Sequence, residues 1–271
     1  MLARSPHQRS RGLGRLTIKH DGQQSRLDEL YQQGCAKIRL PDVHDSKHME
    51  AVLINSSGGM TGGDLLQWQV TTDENTHLTI TTQASEKIYA SADDTIGRVQ
   101  TQLKLAANSR LNWLPQETII YNEARFSRSL DVELESSSQL LIVEPMIFGR
   151  HAMGEVIANG QIKDCWRIRQ NGKLIHAEEF HMTGNVDAEL QKQAIADGNR
   201  AMATLLLISA NAESSLNPVR ELLGASAAAS FWNGKLIVRL LAGDGYELRN
   251  QLLPVINILN DGQALPKVWS S

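Results

Sequence analysis

The chain has 271 residues, with 27 Lys plus Arg against 30 Asp plus Glu and a formal net charge of −3. That length supports a sizeable core in one large domain or two small ones. The charge balance lacks the basic excess of a general nucleic-acid binder, and four Phe, four Tyr and five Trp offer few rings for stacking on bases.

The charge is unevenly placed. Residues 1–20 hold Arg4, Arg9, Arg11, Arg15 and Lys19 and no acid, which leaves 22 basic against 30 acidic side chains, a net of −8, over the rest. This start lacks the apolar stretch of a secretory signal and reads as a flexible basic leader over residues 1–15, with a transit peptide as the alternative. No run approaches the ~20 apolar residues of a membrane span. Cys35 and Cys165 form no CxxC pair, as expected of thiols in a reducing cytoplasm.

The first 185 residues read as strands. Leu16 and Ile18, then Ile38 and Leu40, alternate with polar neighbours. Val99, Thr101, Leu103 and Leu105 share one face of a strand, as do Leu130, Val132 and Leu134. Asn159-Gly160, Asn171-Gly172 and Asn233-Gly234 are hairpin signals, which together predict antiparallel neighbours. The period then changes. Asp187 is the predicted N-cap of a helix running to about Ser209, with Leu190, Ala194, Ala201, Leu205 and Ile208 as its buried stripe. Asn217-Pro218 opens a shorter helix. A strand returns near 231–241, and Leu248, Leu252, Val255, Ile256 and Leu259 mark a last helix that Pro254 caps or kinks. The expected fold is one mainly β domain over residues 1–271, with two or three α-helices in the C-terminal third.

Four segments stand out. Asn55-Ser56-Ser57-Gly58-Gly59-Met60-Thr61-Gly62-Gly63-Asp64 is a glycine loop suited to tight turns or an anion nest. No Gly-Lys-Ser/Thr closes it, and the strand-like run Leu65 to Val70 follows, so it is neither a P-loop nor a dinucleotide fingerprint. Thr81 to Tyr89 (TTQASEKIY) carries Glu86 and Lys87, which a strand points to opposite faces. Trp113 to Tyr121 (WLPQETIIY) sets Gln116 and Glu117 among apolar residues, and Glu144 to Glu155 (EPMIFGRHAMGE) holds two carboxylates around His151. Of eight histidines, His44 and His48 stand four apart, in a stretch marked as loop by Pro41, Asp42 and Asp45. There is no HExxH and no GxSxG. The residues alone leave open a hydrolase using Glu144, Glu155 and His151, or a ligand-binding β module using Trp113 and Trp232, both expected in the core.

The ordered series NSSGGMTGGD, TTQASEKIY, WLPQETIIY and EPMIFGRHAMGE, followed by LIVRLLAGD at 236–244 and LPKVW at 265–269, resembles the UreD (UreH) family of urease accessory proteins. The resemblance covers nearly the whole chain. It implies a helix-like stack of strands with helices toward the C-terminal part, and a non-catalytic cytoplasmic scaffold. Such a scaffold binds the urease apoprotein and recruits UreF and the GTPase UreG, so that nickel reaches the active site. Matching positions are Gly58, Gly59, Thr61, Gly62, Gly63 and Asp64; Lys87 and Tyr89; Gln116 and Glu117; and Glu144, Gly149, Arg150, Gly154 and Glu155. Ala90 stands where the family segment usually has Arg, and Glu86 where it has a small residue. No permanently bound cofactor is expected. Asp64 and Glu178 are the oxygen-donor candidates for transient Ni(II).

Overall fold

The computed structural model describes residues 8–42, 47–150 and 153–270. Regular structure begins with β1 (Arg11–His20), followed by β2 (Ser25–Gly34), β3 (Ala36–Arg39) and β4 (Met49–Asn55). The middle of the chain forms β5 (Leu65–Thr72), β6 (His77–Thr82), β7 (Glu86–Ile88), β8 (Gly97–Leu105), β9 (Arg110–Leu114) and β10 (Thr118–Ile120). Then come β11 (Arg125–Leu134), β12 (Gln139–Phe148), β13 (Gly160–Gln170) and β14 (Lys173–Gly184). The C-terminal part adds α1 (Val186–Leu190), β15 (Ala201–Ile208), α2 (Leu216–Leu222), β16 (Ala227–Trp232), β17 (Lys235–Ala242) and α3 (Gly245–Leu259).

Through the centre, the long strands of the chain alternate between two facing sheets. In one, β5, β8, β11 and β13 pair in parallel; in the other, β4, β6, β9 and β12 do so. Each circuit stacks on the last at the strand spacing of about 4.8 Å, giving a solenoid-like stack. The mainly β reading and the C-terminal helices stand. The expectation of antiparallel neighbours holds only toward the ends, at β1–β2, β3–β4, β13–β14 and the set β12–β15–β17–β16. Asn171-Gly172 and Asn233-Gly234 make the hairpins, with positive φ at both residues of each pair. Asn159-Gly160 does not: Gly160 opens β13, which runs parallel to β11. Strands with one face inside a stack and one in solvent alternate whether their neighbours run parallel or antiparallel, so the period could not tell the two apart.

Residues 11–15, expected in the flexible leader, are strand. Arg11 and Arg15 lie in β1, whose inward residues Leu16 and Ile18 are fully buried; residues 1–7, with Arg4, lie outside the described part. The helix predicted over 187–209 is mostly absent. Asn185, not Asp187, caps the five-residue α1 by accepting from the Ala188 N–H at 3.0 Å. Residues 201–208 are instead β15, with Leu206 and Ile208 in the core between the sheets and Leu205 and Leu207 in a second core beneath α2 and α3. A strand covered on both faces loses its alternation and mimics a helical stripe. Ser215 precedes α2, so Pro218 falls within its first turn, where no N–H is needed. The α3 stripe is buried as expected, and the helix runs through Pro254. Arg220 of α2 donates from Nε (3.1 Å) and Nη2 (3.0 Å) to the carbonyl of Ala229, on edge strand β16. Among the described residues no helix is long and apolar enough to cross a membrane.

One ionic cluster lies between the sheets. Arg128 of β11 donates from Nε (3.0 Å) and Nη2 (2.6 Å) to Asp164 of β13, and from Nη1 to Glu144 of β12 and to Thr118 Oγ1 (3.3 Å). Trp113 Nε1 completes it with a 2.8 Å bond to Glu144. Burial opposes the Arg128 charge, but the two carboxylates raise its pKa overall. Burial likewise raises that of Glu144, and Arg128 only partly offsets the shift. Removing the cation would leave two sealed carboxylates without a counter-charge. Arg128→Ala is expected to cost about 3–5 kcal/mol, far more than breaking the exposed Lys19–Asp28 pair, which water screens. Urea denaturation at pH 7 measures both; equal shifts would contradict the assignment.

Candidate functional site

The glycine loop joins β4 to β5 and is built from backbone bonds. Met60 N–H donates to the Lys87 carbonyl and Tyr89 N–H to the Met60 carbonyl, both at 2.8 Å, so the loop adds a parallel bridge beside β7. Asp64 closes it: Oδ2 accepts from Thr61 N–H (2.9 Å) and Oδ1 from Ser10 N–H (2.7 Å). This carboxylate is buried and fixes both the turn and the approach to β1. Gly59 has φ +135°, and a Cβ there would stand 2.4 Å from the Tyr89 ring. At Gly62 a Cβ would meet Ser91 Oγ at 1.7 Å. These two positions are glycine because neighbouring chain occupies the side-chain volume.

Beside the loop lies an exposed aromatic and cationic patch. Tyr89, 41% exposed, packs its ring on Tyr121 with centroids 5.2 Å apart, and the Arg150 guanidinium sits 4.7 Å from the Tyr121 centroid. Glu155 steers that arginine, accepting from Arg150 Nε (2.8 Å), Arg150 N–H (3.0 Å) and Asn122 N–H (3.2 Å). Burial alone would raise the Glu155 pKa, but these donors hold it below the usual carboxylate range. Gly149 and Gly154 bracket the segment in left-handed conformations, and Met153 and Val156 are exposed. Lys87 is exposed on β7. The structure therefore gathers Gly58, Gly59, Thr61, Gly62, Gly63, Lys87, Tyr89, Gly149, Arg150, Gly154 and Glu155 around one surface. Exposed Tyr, Arg and Met are the residue types that anchor protein interfaces.

The remaining sequence candidates lie elsewhere. Gln116 and Glu117 are buried against α3, where Arg249 Nη1 donates to both at 3.0 Å. Glu144 is locked in the ionic cluster and Glu155 is bonded to Arg150, so each carboxylate already serves its own arginine; His151, the third member of the hydrolase reading, lies outside the described residues, as do His44 and Asp45. Glu178, on edge strand β14, accepts from Arg239 Nη2 at 2.6 Å and stands 3.9 Å from His176 Nε2. Trp113 is in the core as expected. Trp232 is not: it is 42% exposed, with Lys235 Nζ 4.8 Å from its ring centroid. Cys35 and Cys165 are free thiols. Among the described residues no group of three or more His, Cys, Asp and Glu is placed to hold a metal.

Sequence reasoning missed Arg128, Asp164 and Arg249. The first two carried a signal, for each interrupts an inward-facing apolar series: Phe126-x-Arg128-x-Leu130 and Ile162-x-Asp164-x-Trp166.

Glu86 is the most perturbed carboxylate of the loop region. It is partly buried and accepts from Asn55 Nδ2 at 3.0 and 3.2 Å. Burial raises its pKa to about 7, the bonds to Asn55 and the Lys87 N–H oppose that shift, and the Asp64 charge adds to it. The folded state thus holds its proton more tightly than the unfolded chain, so stability falls as pH rises from about 4.5 to about 7. Glu86→Gln is expected to remove this fall and to stabilise the protein at pH 8 but not at pH 4. Thermal melts across that range check it, and a pH-independent difference between the two proteins would refute it.

Comparison with known families places this geometry in context. The model of the UreD urease accessory protein family matches residues 10–270. The urease accessory protein UreD of Agrobacterium fabrum is 47% identical over 263 residues, covering 97% of this chain and 92% of the relative. Those of Rhizobium johnstonii and Brucella suis are 48% and 46% identical, each covering 96% of the relative and 97% and 98% of this chain. The chain belongs to the UreD family of urease accessory proteins.

Proposed function

We propose that this protein is a cytoplasmic, non-catalytic scaffold of urease maturation. It binds apo-urease and recruits UreF and the GTPase UreG, which supplies the nucleotide chemistry, for nickel insertion. The observation that carries the reading is the meeting of three separate motif segments, the glycine loop, Lys87–Tyr89 and Gly149–Glu155, on one exposed Tyr–Arg surface. The backbone of that surface is fixed by a carboxylate rather than left free for catalysis. A rigid surface of aromatic and guanidinium groups suits protein docking, because little side-chain entropy is lost on contact.

Nickel is the cargo. Glu144, Thr204 and Arg239 occupy one cross-strand row of the larger sheet, and Arg239 meets Glu178. This polar row supports an internal route on which Glu178, with His176 Nε2 3.9 Å away, offers carboxylate and imidazole donors to a borderline cation. Both Asp64 oxygens accept backbone N–H groups, so in this reading Asp64 shapes the loop at which the route would open.

Coexpression with the urease subunits and the other accessory proteins, followed by size-exclusion chromatography, tests the docking surface. Tyr89→Ala combined with Arg150→Ala is expected to lose co-elution while leaving the melting temperature within about 2 °C; retained co-elution would sink the reading. For the route, Glu178→Gln is expected to preserve the complex yet lower the nickel content of the urease it matures. Unchanged nickel content would remove Glu178 from it.

A further inference from the structure

The C-terminal segment and the docking surface are joined through one side chain. Arg249 of α3 uses both ends of its guanidinium. Nη2 donates to the carbonyls of Val268 (3.3 Å) and Trp269 (2.9 Å), and Nη1 donates to Gln116 Oε1 and Glu117 Oε1, both at 3.0 Å. Its Cζ lies 5.0 Å from the centroid of the buried Trp269 ring, whose Nε1 donates to the Leu114 carbonyl at 3.2 Å. Glu117 passes the constraint on. Its Oε2 accepts from Ser85 Oγ at 3.0 Å, and its carbonyl accepts from Glu86 N–H at 2.9 Å. From there β10 pairs with β7, and the Lys87 carbonyl and Tyr89 N–H hold Met60 of the glycine loop.

We propose that Arg249 is a positioning residue for partner docking, holding β7, and with it Lys87, Tyr89 and Met60, in register with the C-terminal segment 267–269. The inference rests on the docking role proposed for that surface. Its physical basis is the small size of β7: three residues, with β10 as their one strand partner among the described residues and the Met60 bridge on the other side, cannot fix their own register. Glu117 supplies the anchor at the head of β10, and a planar fork is needed to reach four acceptors on two sides at once. Lysine, a flexible point charge, cannot span them.

Amide hydrogen exchange on the full-length protein tests this without a partner. Arg249→Lys is expected to speed exchange at residues 86–89 and 60–61 by at least about 10-fold, with β13 and β14 unchanged. Glu117→Gln should give the same pattern, and the double variant no more than either alone. Leu252→Ala, a change in the apolar core beneath the same helix that leaves the Arg249 guanidinium in place, should loosen α3, β15 and β17 instead. Acceleration confined to α3 and residues 265–270, or spread evenly through β13 and β14, would overturn the proposal. Capture of apo-urease is read separately, and Arg249→Lys is expected to weaken it as much as Glu117→Gln does. Faster exchange with undiminished capture would leave the mechanical coupling intact and refute its role in docking.

Discussion

A single guanidinium sealed between two sheets sets the geometry on which the rest depends. Arg128 reaches both carboxylate oxygens of Asp164 on its own sheet, and Glu144 and Thr118 on the facing one. A hydrophobic filling would hold the sheets together in several sliding positions, whereas a forked donor between fixed acceptors admits one. Thr118 heads β10, so the same cation also reaches toward β7 and the loop it supports. The interior ion cluster and the exterior surface are therefore parts of one bonded sequence.

Much of this architecture was legible from residue order. Alternation in residues 99–105 and 130–134 identified strands with one face inside, and two Asn-Gly pairs identified their hairpins. Strand direction was not legible, because a solenoid circuit and an antiparallel sheet impose the same period of two on a half-covered strand. β15 was misread for the opposite reason: covered by a core on each face, Ala201–Ile208 has no solvent phase left to mark its period. Arg128 and Asp164 were visible only as charges in an inward phase, which is a signal that requires trusting the phase first. Arg249 was invisible, since two of its four acceptors lie 132 and 133 positions away and the other two are backbone carbonyls.

The candidate surface was half legible in a comparable way. The motif series named Lys87, Tyr89, Arg150 and Glu155 but could not say that they meet, or that Gln116, Glu117 and Glu144 serve the interior instead. What separates the two groups is the direction of the side chain rather than its chemistry. Carboxylates appear in both, and each is matched to an arginine of its own: Glu155 to Arg150 at the rim, Glu117 to Arg249 beneath α3, and Glu144 to Arg128 in the interior.

A stack of parallel strands is also a template, since each strand offers the next the hydrogen bonds it has itself received, and nothing in that pattern tells it to stop. Both sheets of this molecule stop. At the C-terminal edge of the larger one, Arg220 takes up the Ala229 carbonyl of β16; at the N-terminal edge of the other, β2 carries Arg26, Asp28 and Glu29 exposed to water. Arg220 thus acts as a chain terminator for a one-dimensional crystal. A second copy adding a strand to that edge would meet a carbonyl already taken, so it would first have to displace the arginine.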